Sequence, residues 1–216
     1  MDAFDLCLAV GPLAMYLLAL GVINLGRRPI VTTGGREAMA VALALSGFVL
    51  VGPMQLFFPE AAASRFGPWV WALLITFYVM CVTLWIITSR PRLVIYNIAP
   101  AQLRAILDGL APTLDPQAHW AGDNLMMPQR GVQLHIEGVD RMRNVVLVAL
   151  GTEQSQSGWR ELENALIKTL RETLVERNPR GFSFLSAGVL LLTAMLYKTL
   201  QDPQAVADGM LEMLRR

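Results

Sequence analysis

Charge is spread unevenly along the 216-residue chain, and its gaps outline the architecture. Leu6–Gly26, Ala38–Pro59, Phe66–Ser89 and Gly181–Tyr197 contain no Asp, Glu, Lys or Arg. A helix needs roughly 20 predominantly apolar residues to cross a bilayer, within a range of about 17–25. The first three stretches reach that length. The fourth reaches it when Lys198 snorkels and extends it to Leu200. The pattern predicts four transmembrane helices.

Between the third and fourth gaps, Arg90–Arg180 holds 21 of the 35 charged residues. Arg92–Asn97 is β-branched and aromatic and reads as a strand. Pro100 opens a helix whose stripe is Leu103, Ile106, Leu107, Leu110 and Leu114. Trp120–Met127 is a weak strand broken by Gly122, followed by a hairpin turn at Pro128–Gly131. Val132, Leu134 and Ile136 alternate with polar residues, as in a half-buried strand. Val145–Leu150 is apolar on both faces, as in a central strand. Trp159–Val175 closes the segment as a helix with Leu162, Leu166, Leu170 and Leu174 on one side.

The order β-α-β-β-β-α predicts two helices on one face of a small, mostly antiparallel sheet. Its outline resembles a ferredoxin-like sandwich that lacks the final strand and gains one in the middle, a likeness of shape that implies no function. The expected fold is therefore a membrane α-helical protein with an inserted α+β soluble domain. Residues 1–89 carry three spans, 90–180 the domain, 181–200 the fourth span and 201–216 a short amphipathic tail. In the tail, Val206, Met210, Leu211 and Leu214 form an apolar side that lies on the membrane or folds back on the bundle.

Composition agrees. The chain is 54% apolar and 16% charged, with a mean hydropathy of +0.45. Soluble domains are about 45–50% apolar and about 25% charged. The net charge of +1 leaves no footprint for nucleic acid. The acidic start, Asp2 and Asp5, lacks the basic region of a signal peptide, so the first span is expected to be retained.

Basic residues near the span ends set orientation. Arg27, Arg28, Arg36, Arg90, Arg92, Arg177 and Arg180 stand on one side, against Arg65, Lys198, Arg215 and Arg216 on the other. This predicts a cytoplasmic domain with both termini outside. Phe57, Phe58, Phe66, Trp69 and Trp71 then mark the outer interface, and Trp85, Phe182 and Phe184 the inner one, all as lipid-facing anchors. Sixteen arginines against two lysines point to a GC-rich bacterial genome, hence a bacterial cell (inner) membrane. Cys7 and Cys81 are too far apart in depth to pair and read as small core residues.

Candidate chemistry is sparse. No phosphate-binding loop, dinucleotide turn, nucleophile elbow or His-Glu-x-x-His occurs, and no cofactor is expected. His119, Asp123, His135 and Glu137 are the weak metal candidates, since His and carboxylates ligate divalent ions. Strand alternation puts His135 and Glu137 on one polar face. A hairpin brings Asp123 opposite Glu137 or its neighbour. The competing reading is a solvated sheet face.

The loop Thr152, Glu153, Gln154, Ser155, Gln156 and Ser157 precedes a helix and is the best candidate for contacting a partner. Ser157 or Gly158 is expected to cap that helix, with Trp159 beneath. Arg130, Arg141 and Arg143 sit on adjacent turns, either solvated or facing an anionic leaflet. In the membrane, Pro12 and Pro53 fall at equal depth, and paired kinks would open an outer cavity beside Gln55; Gly67-Pro68 begins the third span. Ala40, Ala42, Ala44, Ser46 and Gly47 give the second span a small-residue face.

No ionisable residue lies mid-span, which argues against an ion-coupled transporter. The expected function is an accessory, assembly or scaffolding subunit acting through protein contacts, with the bilayer and a protein partner or a second copy as its neighbours. The alternatives are an oligomeric channel or facilitator and a membrane enzyme or metal sensor using the His119/His135 region.

Overall fold

A computed structural model describes residues 3–56, 58–67, 69–139 and 142–215. Expectations resting on Asp2, Phe57, Pro68, Asp140, Arg141 and Arg216, and on the side chains of Leu214 and Arg215, lie outside them. The chain forms two units. One comprises Met1–Gly21, Ala38–Thr88 and Ser183–Arg216, the other Val22–Glu37 and Ser89–Phe182.

The first unit is helical. Four helices are long and apolar enough to cross a membrane: α1 (Ala3–Leu25), α2 (Gly34–Val49) with its π-helical continuation Leu50–Met54, α4 (Trp69–Thr88) and α7 (Arg180–Gln201). The fourth, the shortest in charge-free length, spans 22 residues because Arg180 and Lys198 both lie within the helix. Phe66 ends a separate short helix, α3 (Glu60–Phe66), and so does not open the third span. Trp71 is buried, with its ring centroid 5.0 Å from that of Phe58, so the lipid-anchor expectation fails for it. Trp69 remains exposed.

Glycines bring the helices of this unit together. A side chain at Gly47 of α2 would overlap the main chain of Leu8 and Ala9 in α1. One at Gly21 would meet Leu185 of α7, and one at Gly188 would meet Leu18. Small residues permit such backbone approach where apolar helices gain nothing by leaving apolar surroundings. The small face of α2 is thus used inside the bundle at Ala44 and Gly47, both buried, while Ala40 is exposed. The last helix, α8 (Pro203–Arg215), sets Gly209 against Phe4, which favours the folded-back tail. Cys7 contacts Thr199 at 3.2 Å, whereas Cys81 is exposed on α4, contrary to its expected place in a core.

The second unit is a six-stranded antiparallel sheet in the order β1-β2-β6-β5-β4-β3. Its strands are β1 (Ile30–Thr33), β2 (Arg92–Tyr96), β3 (His119–Ala121), β4 (Asn124–Met127), β5 (Val132–Val139) and β6 (Asn144–Ala149). Helices α5 (Pro100–Leu114) and α6 (Gln156–Glu172) cover one face. Leu103 and Leu107 of α5 and Leu162, Leu166 and Leu170 of α6 bury against Leu93, Ile95, Leu134, Val145 and Leu147. β6 lies between β2 and β5, so the apolar run on both its faces marks a central strand as expected.

Three expectations change here. The segment between the first two spans, to which the hydrophobic pattern assigns no element, supplies β1, which takes the open edge beside β2 where a final strand is missing. Four residues are too short for periodicity to reveal. The weak strand Trp120–Met127 is two strands, because Gly122 (φ 66°) occupies a two-residue turn that needs a left-handed conformation. The last helix of the domain ends at Glu172, and Leu174 is 72% exposed instead of extending the leucine stripe. Beyond that end the chain extends, and Val175 N–H donates to the Arg27 carbonyl at 2.9 Å.

Candidate functional site

The most developed polar construction in the sheet unit lies where helix ends enter it. Asn178, two residues before α7, is buried. Its N–H donates to the Asn24 carbonyl (3.1 Å), and its side-chain amide donates to Asn24 Oδ1 (3.0 Å) and to the Met142 carbonyl (2.9 Å). Asn178 Oδ1 in turn accepts from Arg180 N–H. One side chain therefore joins the end of α1, the β5–β6 turn and the start of α7.

Asn97 repeats the device. It is fully buried at φ 63°, a conformation Asn tolerates better than most residues. Its amide donates to the Gly26 carbonyl at 2.7 Å. Arg143, also left-handed at φ 47°, donates to the Glu176 carbonyl. The C-terminal carbonyls of a helix lack partners within the helix. Around the end of α1 these asparagines supply donors to carbonyls that the chain itself cannot satisfy.

The opposite sheet face is clamped by α2. Glu37, in its first turn, accepts from Tyr96 Oη (3.1 Å) and lies 3.6 Å from Arg92. Beneath them Val94 is fully buried although it points away from the α5–α6 layer. Arg92 runs across Gly34, where a side chain would collide with it.

Beside the end of α1 an open cavity of about 650 Å³ is lined by Val22, Ile23, Pro29, Ile30, Ile167 and Leu170, with Arg27, Arg28 and Arg171 on its wall. None of these residues was singled out as a site from sequence. Their one signal in the sequence is the Arg27-Arg28 pair, which by itself bears on orientation.

The metal candidates do not assemble. Asp123 pairs with Arg104 at 2.7 Å, and Arg104 also stacks over Trp120. His119 Nδ1 contacts the Gln117 carbonyl and His135 Nδ1 contacts Asn124 Oδ1 (2.8 Å). Asn124 stands opposite His135, which places Asp123 nearest Ile136, while Glu137 lies opposite Val146. Among the described residues no three His, Cys, Asp or Glu side chains gather to hold a metal. Asp123 thus comes beside Glu137's neighbour as expected but is held by Arg104, and His119, opposite Met126 on the far side of β4, is kept from His135 by strand register.

The loop before α6 divides. Thr152, Glu153, Gln156 and Ser157 are exposed. Gln154 turns inward, accepts from Trp159 Nε1 (2.8 Å) and donates to the Leu150 and Gln133 carbonyls. Ser155, not Ser157 or Gly158, caps the helix by accepting from Gly158 N–H. A side chain at Gly158 would overlap the Arg130 carbonyl, which draws α6 against the β4–β5 turn. Arg130 pairs with Glu161, and Arg143 lies 3.4 Å from Glu176.

In the helical unit, Pro53 lines a groove of about 270 Å³ with Phe77, Tyr78 and Cys81 of α4. Gln55 instead donates to Asp5 Oδ1 of α1 at 3.2 Å. Pro53 and Gln55, on either side of the end of the π-helical turn, thus meet different helices, α4 and α1.

No family model matches the chain, and neither a curated protein nor a solved structure is detectably similar to it.

Proposed function

We propose that the chain is a four-span protein of a bacterial cell membrane. Its sheet unit stands in the cytoplasm as a platform for another protein, with both termini outside. The observation that carries this reading is the pairing of β1 with β2. Two strands of one sheet must lie on one side of a bilayer, so an even number of crossings separates them, and α2 and α4 supply two. The Asn24–Asn178 contact makes the same demand of the end of α1 and the start of α7.

The excess of arginine at those ends supports placing that side in the cytoplasm. Residues Val22–Glu37, from the end of α1 to the first turn of α2, belong to the sheet unit. Thr152, Glu153, Gln156 and Ser157 are the polar groups it offers outward.

Two experiments test the reading. In a chain with Cys7 and Cys81 replaced, Glu153→Cys is expected to react with an impermeant maleimide only after cells are opened, and Arg65→Cys in intact cells. Labelling of both in intact cells contradicts the topology. A photo-crosslinker at Glu153 is expected to capture one reproducible protein in mild-detergent extracts. A monodisperse monomer that yields no reproducible adduct contradicts the platform role.

A further inference from the structure

We infer that the cavity at the end of α1 is a binding site for an anionic phospholipid, with the phosphate on Arg27, Arg28 and Arg171 and the upper acyl chain along Val22, Ile23 and Ile167. The inference rests on the membrane reading proposed above. Its volume of about 650 Å³ falls within the range of roughly 300–1,000 Å³ typical of ligand sites.

The distribution of chemistry within it is specific. Its floor is aliphatic, and Val22 and Ile30 remain exposed, an arrangement that favours an apolar occupant over water. Three guanidiniums line it and no acidic residue does. Among the described residues none of the three makes an ion pair, as is also true of Arg65, Arg90, Arg160, Arg177 and Arg180, and it is their convergence on one cavity that sets them apart. Guanidinium matches phosphate in charge and in fork geometry.

Location supplies the apolar half of the argument. Arg27 and Arg28 follow directly on α1, a helix long and apolar enough to cross a membrane. In a four-span arrangement they stand at headgroup depth, where a basic pocket meets lipid phosphate. Arg171 reaches it from the last turn of α6, which packs beside β1 and is followed by the bond between Val175 N–H and the Arg27 carbonyl. A soluble phosphate would use the arginines and leave the aliphatic floor bare, so a lipid accounts for both halves of the cavity.

The test is native mass spectrometry of the full chain released from detergent after incubation with equal amounts of phosphatidylglycerol and phosphatidylethanolamine. The wild type is expected to retain phosphatidylglycerol preferentially. Arg27→Gln/Arg28→Gln/Arg171→Gln is expected to retain at least about tenfold less, given the contribution of each basic group at an anionic surface. The charge-matched control Arg65→Gln/Arg104→Gln/Arg160→Gln is expected to retain it as the wild type does. Ile167→Trp, which fills the cavity without changing charge, is also expected to lose the lipid. Near-UV circular dichroism checks that each variant is folded.

Equal retention of both lipids, undiminished retention by the triple or the filled variant, or equal loss in the control overturns the site. Displacement by millimolar inorganic phosphate alone overturns the lipid in favour of a soluble anion. Extraction of the wild type from native membranes by alkaline carbonate would instead refute the membrane reading itself, a result distinguishable from all of these.

Discussion

Asn24 and Asn178 are 154 residues apart in the chain and share two hydrogen bonds, one main chain to main chain and one between side-chain amides. Both are buried. They join the end of one long apolar helix to the entry of another, and several properties of the protein turn on this pair.

Asn178→Ala removes a donor from Asn24 Oδ1 and from the Met142 carbonyl. Leaving buried acceptors without a partner costs about 1–3 kcal/mol. The variant is expected to unfold at lower temperature in detergent, followed by tryptophan fluorescence. An unchanged Tm would show that water replaces the amide.

The pairing of Ile30–Thr33 with Leu93–Tyr96 predicts slow hydrogen exchange in a segment that sequence patterning assigns to a loop. On an edge strand, alternate amides face the neighbouring strand. Protection is therefore expected at alternate positions of β1, with rapid exchange at those between. Uniformly rapid exchange would contradict the sixth strand.

Ser155 and Ser157 contact one another, but Ser155 alone accepts from the helix. Ser155→Ala is expected to lower stability by about 1 kcal/mol, the usual value of an N-cap. Ser157→Ala is expected to change it by a few tenths of that. Chemical denaturation of the two variants side by side separates the assignments, and the reverse order would restore the cap to Ser157.

Gly47 and Ala40 lie on the same helix with opposite surroundings. Gly47→Leu forces a side chain into the main chain of Leu8 and Ala9 and is expected to cost about 1–3 kcal/mol or more. Ala40→Leu, on an exposed face, is expected to be neutral. Size-exclusion profiles after graded heating in detergent measure both. Equal tolerance would mean that α1 and α2 are not in contact at Gly47.

Whatever depended on composition over 15 or more residues was legible in the chain itself. Four helices capable of crossing a membrane follow from four charge-free stretches, since each need only be long and apolar. The α5 stripe, the central place of β6 and the helix layer on one face follow from periodicity, because an amphipathic element has one way to bury its apolar side.

What the tertiary structure decided concerns short segments and pairings between distant residues. β1 is four residues long, and its edge position comes from partners about 60 residues later. The separation of His119 from His135 comes from strand register, and the inward turn of Gln154 from the position of Trp159. The cavity of Arg27, Arg28 and Arg171 forms where α6 packs beside β1 and Val175 N–H meets the Arg27 carbonyl, partners more than 100 residues apart. Hydrophobic burial is encoded in local pattern. The meeting of particular polar groups is a property of topology, and no window along the sequence contains both partners.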